Sequence, residues 1–379
     1  MAQKLKTDWI LFTTIIVMVF FGAVMLYSAS CIMAQLKFGS SWHFFYRQLA
    51  WMAVALSVMM LLKRMHYRTL QSPAVAFAAV GVVLILLFAV YLADSAHHRW
   101  LRMGPVGMQP SELAKPALVI FLAFFVTLRA PAINNRHTLL PASLAVGLVT
   151  ACVGVADLGT AIVLTATVVV VFFVAGLEWR FCMMALSVAA LGVLFLVASK
   201  PYRLARIVQY FDPTYKLVDR IDPGGRVKAY LNTSLTSRDT NYQAEQSKIA
   251  VGAGGILGLG LMQGKQKLLY LPEAHTDFIY AVVSEELGLV GSLLVLVGFI
   301  VILWRGLRAT VLMPDDFGRY LALGITTMLV VQAFVNISVV LGMIPNKGIP
   351  LPMISSGGSS LLSTLASLGI LMNVSEHAG

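Results

Sequence analysis

Charge is scarce in this chain. Asp, Glu, Lys and Arg make up 12% of its 379 residues, and only 17 residues are acidic. A soluble domain carries roughly 25% charged residues, so an ordinary water-facing surface is excluded for most of the molecule. Cysteine is scarcer still. Cys31, Cys152 and Cys182 lie scattered in apolar surroundings, with no metal-ligand spacing and no disulfide framework. The net charge of +11 would suit nucleic acid, but no nucleic-acid module is recognisable, so none is expected as a partner. Anionic lipid head groups or a phosphate-bearing substrate account for the basic balance instead.

What the chain does have is apolar sequence. Hydrophobic residues reach 59%, with a mean hydropathy of +0.83. The apolar runs repeat at about 20 residues, the length that crosses a bilayer as a helix. Backbone groups in lipid must pair within the chain, so these runs predict helices, and a β-barrel would show short alternating segments instead. The expected fold class is all-α: a polytopic membrane protein forming one unit over residues 1–379.

Lys4 and Lys6 precede the apolar run Trp9–Ser28. That pattern also fits a signal peptide, but the run is long for one and many spans follow, so it is taken as the first membrane helix. Further spans are expected at 45–62, 74–92, 111–128, 139–156, 159–176, 181–199, 277–304, 319–341 and 352–374. As one helix, 139–176 would be about 56 Å long, against a hydrocarbon core of about 30 Å. It must break, and Asp157-Leu158-Gly159 is the obvious turn. The result is about ten spans and one long loop, 200–276.

Basic residues favour the cytoplasmic ends of spans. With the N-terminus inside, eleven Lys and Arg of the short connections fall on the cytoplasmic side and six outside. Both termini are therefore expected in the cytoplasm. The loop 200–276 and three charged places (Arg99–Lys115, Asp277 and Lys347) would then share the outer face.

The densest chemistry lies where that loop meets an apolar run. Glu273, Asp277, Glu285 and Glu286 fall within fourteen positions. Carboxylates are costly near hydrocarbon, so such a cluster marks a functional site by default. Asp277 alone could be a helix cap. Glu285 and Glu286, about 12 Å further along a helix, could not.

Other candidates carry ordinary readings beside functional ones. Trp100, within His97–Arg102, is an interfacial anchor or a site residue. Glu112 and Lys115 open the fourth span at a spacing that pairs them on one helix face. Arg47 is a snorkelling anchor or a site member. The glycines of 252–264 suggest a nucleotide loop, but Leu259 and Gln266 stand where glycine and a magnesium-binding hydroxyl are required. Close packing explains them better. Gly342–Pro352, with three prolines and Lys347, reads as a rigid outer loop, and Ser355–Ser360 as a small-residue stretch inside the last span.

Five segments together resemble the SEDS family (shape, elongation, division and sporulation). They are YLPEAHTDF at 270–278, SEELG at 284–288, QPSELAK at 109–115, DLGT at 157–160 and KGIPLPMISSGGSS at 347–360. The lead-in to His275-Thr276-Asp277-Phe278 is more like the division branch than the elongation branch. Val155-Ala156 before DLGT and Ser356 depart from the family pattern.

The resemblance implies a peptidoglycan glycosyltransferase that polymerises lipid II beside a class B penicillin-binding protein and other divisome or elongasome membrane proteins. It places the catalytic carboxylate at Asp277. Substrate contacts are expected from Lys115, Glu112, Arg47, Trp100, Arg102, Lys347, His275, Glu285 and Glu286. Asp277 would take the proton of an attacking sugar hydroxyl. Arg47, Lys115 and Lys347 would meet the departing pyrophosphate, with a divalent cation (Mg or Mn) as a further expectation. Lys115 could instead pair with Asp277 at rest, and Glu285 could orient cations or hold the bundle. The competing class is a lipid II flippase, which would need polar groups through the membrane depth.

Overall fold

The computed structural model describes residues 7–94, 99–103, 106–212, 216–222, 225, 230, 239–268 and 270–378. His97, His98 and Leu269 lie outside that set. Among the described residues, nine helices are long and apolar enough to cross a membrane. They are α1 (Trp9–Phe38), α2 (His43–Arg64), α3 (Pro73–Ala93), α4 (Pro110–Arg129), α5 (Arg136–Ala156), α7 (Trp179–Ala198), α11 (Ile279–Leu312), α12 (Asp316–Val340) and α13 (Gly358–His377). A shorter apolar helix, α6 (Leu158–Val174), makes the tenth. The chain is a polytopic helical membrane protein.

The break inside 139–176 falls at the expected turn. Asp157 leaves the helical region at φ −145° and ψ 95°, and its carboxylate accepts from Gly159 N and Thr160 N to start α6. A short hairpin, β1 (Leu101–Met103) with β2 (Val106–Met108), joins α3 to α4. The long loop carries α8 (Pro201–Phe211), α9 (Lys216–Ile221) and α10 (Asp239–Gly254).

α4, α12 and α13, each buried over most of its apolar length, form the heart of the bundle. α12 packs on α4, α6, α11 and α13, and α13 lies against α2. α7 sits at the edge, with only Cys182 and Val197 buried.

α11 is two helical stretches joined at a sharp turn at Gly288, at φ 64° and ψ −159°. The break frees backbone groups that lipid cannot satisfy. Residues 255–260 meet them on both sides. Leu259 N and Gly260 N donate to the carbonyls of Glu285 and Glu286 at 3.0 and 2.9 Å, while Leu289 N and Val290 N donate to Gly255 O and Ile256 O at 2.9 and 3.3 Å. This close approach uses the glycine run. A β-carbon at Gly254 would overlap the Ser284 carbonyl, and one at Gly258 the Glu286 carbonyl.

The last helix starts later than expected, at Gly358 rather than 352. The preceding stretch closes a turn on itself and also bonds sideways to the segment before α11. Ser355 Oγ accepts from Leu351 N at 2.8 Å and donates to Thr276 O at 2.6 Å. Ser356 N donates to His275 O at 3.0 Å. Ser355 and Ser356 thus lie before the last span, not inside it.

Gly258→Ala should destabilise the fold, because it adds a backbone overlap at a residue with φ +80°. The cost expected from overpacking and left-handed strain is about 2–4 kcal/mol, seen as a lower unfolding midpoint in detergent. Gly81→Ala is the control. It sits in α3 with open space around it, and helix propensity predicts a gain of up to about 1 kcal/mol.

Candidate active site

A cavity of about 360 Å³ opens where the turn before α11, the α5–α6 junction, the N-terminal half of α8 and the 346–348 loop converge. Asp277, Glu273 and Asp157 face it from the acidic side, and Arg99, Lys200, Arg206 and Lys347 from the basic side. Gln243 and Asn346 add neutral polar groups.

Asp277 does not cap α11. Phe278 occupies the cap position and no side chain there bonds the helix start. Among the described residues, none donates a hydrogen bond to the Asp277 carboxylate, which therefore faces the cavity with its lone pairs free. The lysine loop closes over it at Gly348, where a β-carbon would overlap the Asp277 carboxylate. Burial pushes the Asp277 carboxyl up to about 6; Arg99 opposes the shift, and Glu273 and Asp157 add to it.

Asp157 is the same residue type in the opposite state. Its Oδ1 accepts from Gly159 N at 3.0 Å, and its Oδ2 from Thr160 Oγ1, Gln109 Nε2 and Arg99 Nη2 at 3.0, 3.2 and 3.3 Å. Burial raises its carboxyl, but Arg99, Lys347 and Thr160 outweigh that and leave it below the usual range. Asp157 thereby fixes the Arg99 guanidinium at the cavity wall. The Nε of Arg99 is buried with no protein acceptor, a donor suited to an anion. Burial brings Lys347 down to about 8, with Asp157 raising it and Arg203, Arg206 and Arg99 lowering it further.

Of the residues expected in the site, the structure brings Asp277 and Lys347 together. Lys115 and Glu112 lie elsewhere. They form an ion pair at 2.6 Å, 2% and 1% exposed, and Lys115 Nζ donates to Gln332 Oε1 at 2.7 Å. Lys115 is therefore paired with Glu112, not with Asp277. Arg47 is exposed on α2, outside the cavity. Trp100 packs beside Gly107 of the hairpin, also outside it. Arg102 lies in β1, and its side chain is outside the described set. His275 is buried, its ring 4.9 Å from that of Phe44 and its Nδ1 without a partner. Burial holds its pKa below the ordinary histidine value, with Glu273 raising it and Lys37 lowering it.

Glu285 and Glu286 point at the glycine-rich loop, not at the cavity. Glu285 Oε1 accepts from Lys265 N at 2.7 Å and Gln266 N at 3.2 Å. Glu286 pairs with buried Lys267 at 2.5 Å and accepts from Ser28 Oγ at 2.7 Å and Met262 N at 3.1 Å. Of the two roles open to Glu285, holding the bundle is the one its contacts serve.

Lys200 and Arg206 were not singled out in the sequence, while Glu273 was expected only as a member of the acidic cluster, Arg99 as an outer-face charge and Asp157 as the helix break. Arg99 and Glu273 lie within singled-out segments, His97–Arg102 and 270–278, but nothing local aims their side chains into the cavity with Asp277. Nor does the site form a cage for a divalent cation. Among the described residues, no three His, Cys, Asp or Glu lie so placed that they could hold a metal ion, and the Asp157 oxygens are already engaged. The donor set fits an anion rather than Mg or Mn.

A raised carboxyl pKa makes the ionised group a burden on the fold. Its contribution is fully present below the unfolded-state value and lost as pH rises through about 6. Asp277→Asn should therefore unfold at a higher temperature than wild type at neutral pH. The gap should close as pH falls below about 4, the ordinary aspartate range. Melting curves across pH check both points.

The profile of the family described as cell cycle protein, covering FtsW, RodA and SpoVE, matches residues 8–379. The probable peptidoglycan glycosyltransferase FtsW of Geobacter sulfurreducens is 38% identical, over 98% of this chain and 96% of that protein. The stage V sporulation protein E of Bacillus subtilis is 36% identical, over 99% of each. Among solved structures, a chain of a peptidoglycan synthase complex that coordinates polymerization and crosslinking is 30% identical, with a TM-score of 0.75 over 99% of both chains. The rod shape determining protein RodA of Thermus thermophilus is 26% identical, with a TM-score of 0.66 over 98% of this chain and 97% of that one. With a full-length profile match and relatives above a third identical, this chain belongs to the FtsW/RodA/SpoVE family of cell cycle proteins.

Proposed function

We propose that this chain is a peptidoglycan glycosyltransferase that polymerises lipid II at the outer face of the cytoplasmic membrane. The observation that carries the reading is the cavity in which an unbonded carboxylate, Asp277, faces Arg99, Lys200, Arg206 and Lys347. The 4-hydroxyl of one sugar attacks the anomeric carbon of a lipid-linked disaccharide. The new glycosidic bond forms as the bond to undecaprenyl pyrophosphate breaks, and Asp277 takes the hydroxyl proton. The transition state is oxocarbenium-like, as in other glycosyl transfers. Pyrophosphate leaves with its charge met by the basic wall, so no acid is required.

Basic short connections support an orientation with both termini in the cytoplasm and this cavity outside. The likeness to a chain of a peptidoglycan synthase complex supports a class B penicillin-binding protein as partner. The sequence before Asp277 and the FtsW relatives support work at the division septum. A flippase needs charge distributed through the membrane depth, whereas here the free carboxylate and the cations gather in one cavity.

The test uses purified lipid II and protein co-purified with a penicillin-binding partner that lacks its own glycosyltransferase domain. Wild type should make glycan strands, and folded Asp277→Asn should lose at least about 10²-fold in rate. Equal polymer from both would remove Asp277 as the base. No polymer from either, with labelled lipid II crossing liposome membranes, would turn the case to transport.

The pH profile of kcat/KM gives a second test. Asp277 must be ionised to accept a proton, so activity should fall below about 6. Lys347 must be protonated to meet pyrophosphate, so activity should fall above about 8. In Lys347→Arg the alkaline limb should move up, because guanidinium does not titrate in this range.

A further inference from the structure

Two amides on α12, one turn apart, tie the reactive segments together. Asn336 Nδ2 donates to the carbonyl of Asp277 at 2.8 Å and to that of Ile349 at 2.6 Å. Gln332 Nε2 donates to Pro350 O at 2.8 Å, while Gln332 Oε1 accepts from Lys115 Nζ at 2.7 Å. Both residues are almost fully buried, at 2% and 1% exposed. Neither lines the cavity.

The two segments they hold have little structure of their own. Residues 343–357 lie outside any helix, and so do 271–278, which carry Asp277. Glu273 within that turn adopts φ 57°, a conformation a non-glycine residue holds only where its surroundings enforce it. Backbone carbonyls in such segments are ordered by whatever donors reach them. A single amide reaches one carbonyl beside the base and one two residues after Lys347. Both its hydrogens are used, and a flipped amide would set oxygen against two carbonyl oxygens, so the acceptors fix its orientation.

We infer that Asn336 and Gln332 are positioning residues that hold the Asp277 turn and the Lys347 loop in register, and that the Lys115–Glu112 ion pair acts on the site through Gln332. The ammonium of Lys115 claims Gln332 Oε1, which turns Gln332 Nε2 toward Pro350. Glu112 in turn holds Lys115 in a pocket with no room for an unpaired charge. The ion pair thus reaches the reaction at second hand, without touching the cavity. The inference rests on the glycosyltransferase reading for its activity arm only.

The experiment compares wild type, Asn336→Leu and Gln332→Glu, each with its penicillin-binding partner. Gln332→Glu keeps an acceptor for Lys115 and the side-chain volume, and sets a carboxylate oxygen against the Pro350 carbonyl in place of the amide donor. A displacement of about 1 Å at a reacting group costs about 10²-fold. Both variants should therefore lose about 10²-fold in kcat, with KM for lipid II held within about threefold. Amide hydrogen exchange should quicken at 273–278 and 346–351 and stay unchanged in α4. A folded variant that keeps kcat overturns the inference. So does a loss confined to KM, which would mean direct substrate contact, and so does unchanged exchange in the two segments. Should Asn336→Leu not fold, Gln332→Glu decides alone on the same criteria. A wild type that makes no strands would fail the glycosyltransferase reading, and the exchange comparison would still decide the clamp.

Discussion

Backbone groups that leave a helix inside an apolar bundle must be met by another part of the same chain. That constraint shapes the whole cavity end of this protein. Where α11 breaks at Gly288, the carbonyls of Glu285 and Glu286 are met by Leu259 and Gly260. Where the chain runs unwound from 343 to 357, donors come from Gln332 and Asn336, and Ser355 Oγ accepts from Leu351 N. The irregular segments survive because each satisfies the next. The cavity lies among them, with Asp277 and Lys347 both carried on backbone outside the helices.

Within that frame, hydrogen bonding divides the carboxylates by role. Asp157 is surrounded by donors and stays ionised as an anchor for Arg99. Asp277 has none among the described residues, and burial raises its carboxyl. Two aspartates in one cavity are thus driven apart in proton affinity, the arrangement that separates a structural charge from a reacting one. Glu285 and Glu286 carry the same functional group, yet their lone pairs are taken by the loop at 262–267.

The opposite end of the bundle is fastened by charge. Asp8 accepts from Leu11 N and pairs with Arg305, and Ser375 Oγ bonds its second oxygen. Lys63 pairs with Glu376, and Tyr67 bonds Asp315. These contacts draw the start of α1 and the end of α13 to the foot of α2. Coulomb attraction at partly buried sites supports such fastening better than it would at an open surface.

The sequence alone determined the helical membrane fold and the break at Asp157, and it singled out Asp277. Each follows from a local rule: run length against bilayer thickness, helix length against the same limit, and the cost of a carboxylate beside hydrocarbon. Lys347 was legible through its proline-rich setting and the family resemblance. Only the tertiary structure decided that Arg99, Lys200 and Arg206 share the cavity, that Lys115 turns to Glu112 and Gln332, and that Glu285 and Glu286 hold a loop. Gln332 and Asn336 look in sequence like two stray polar residues in a span, and their four-residue spacing was the one available signal. The physical reason is common to all of these. A side chain's chemistry is local, but its partner is chosen by packing between segments far apart in the chain.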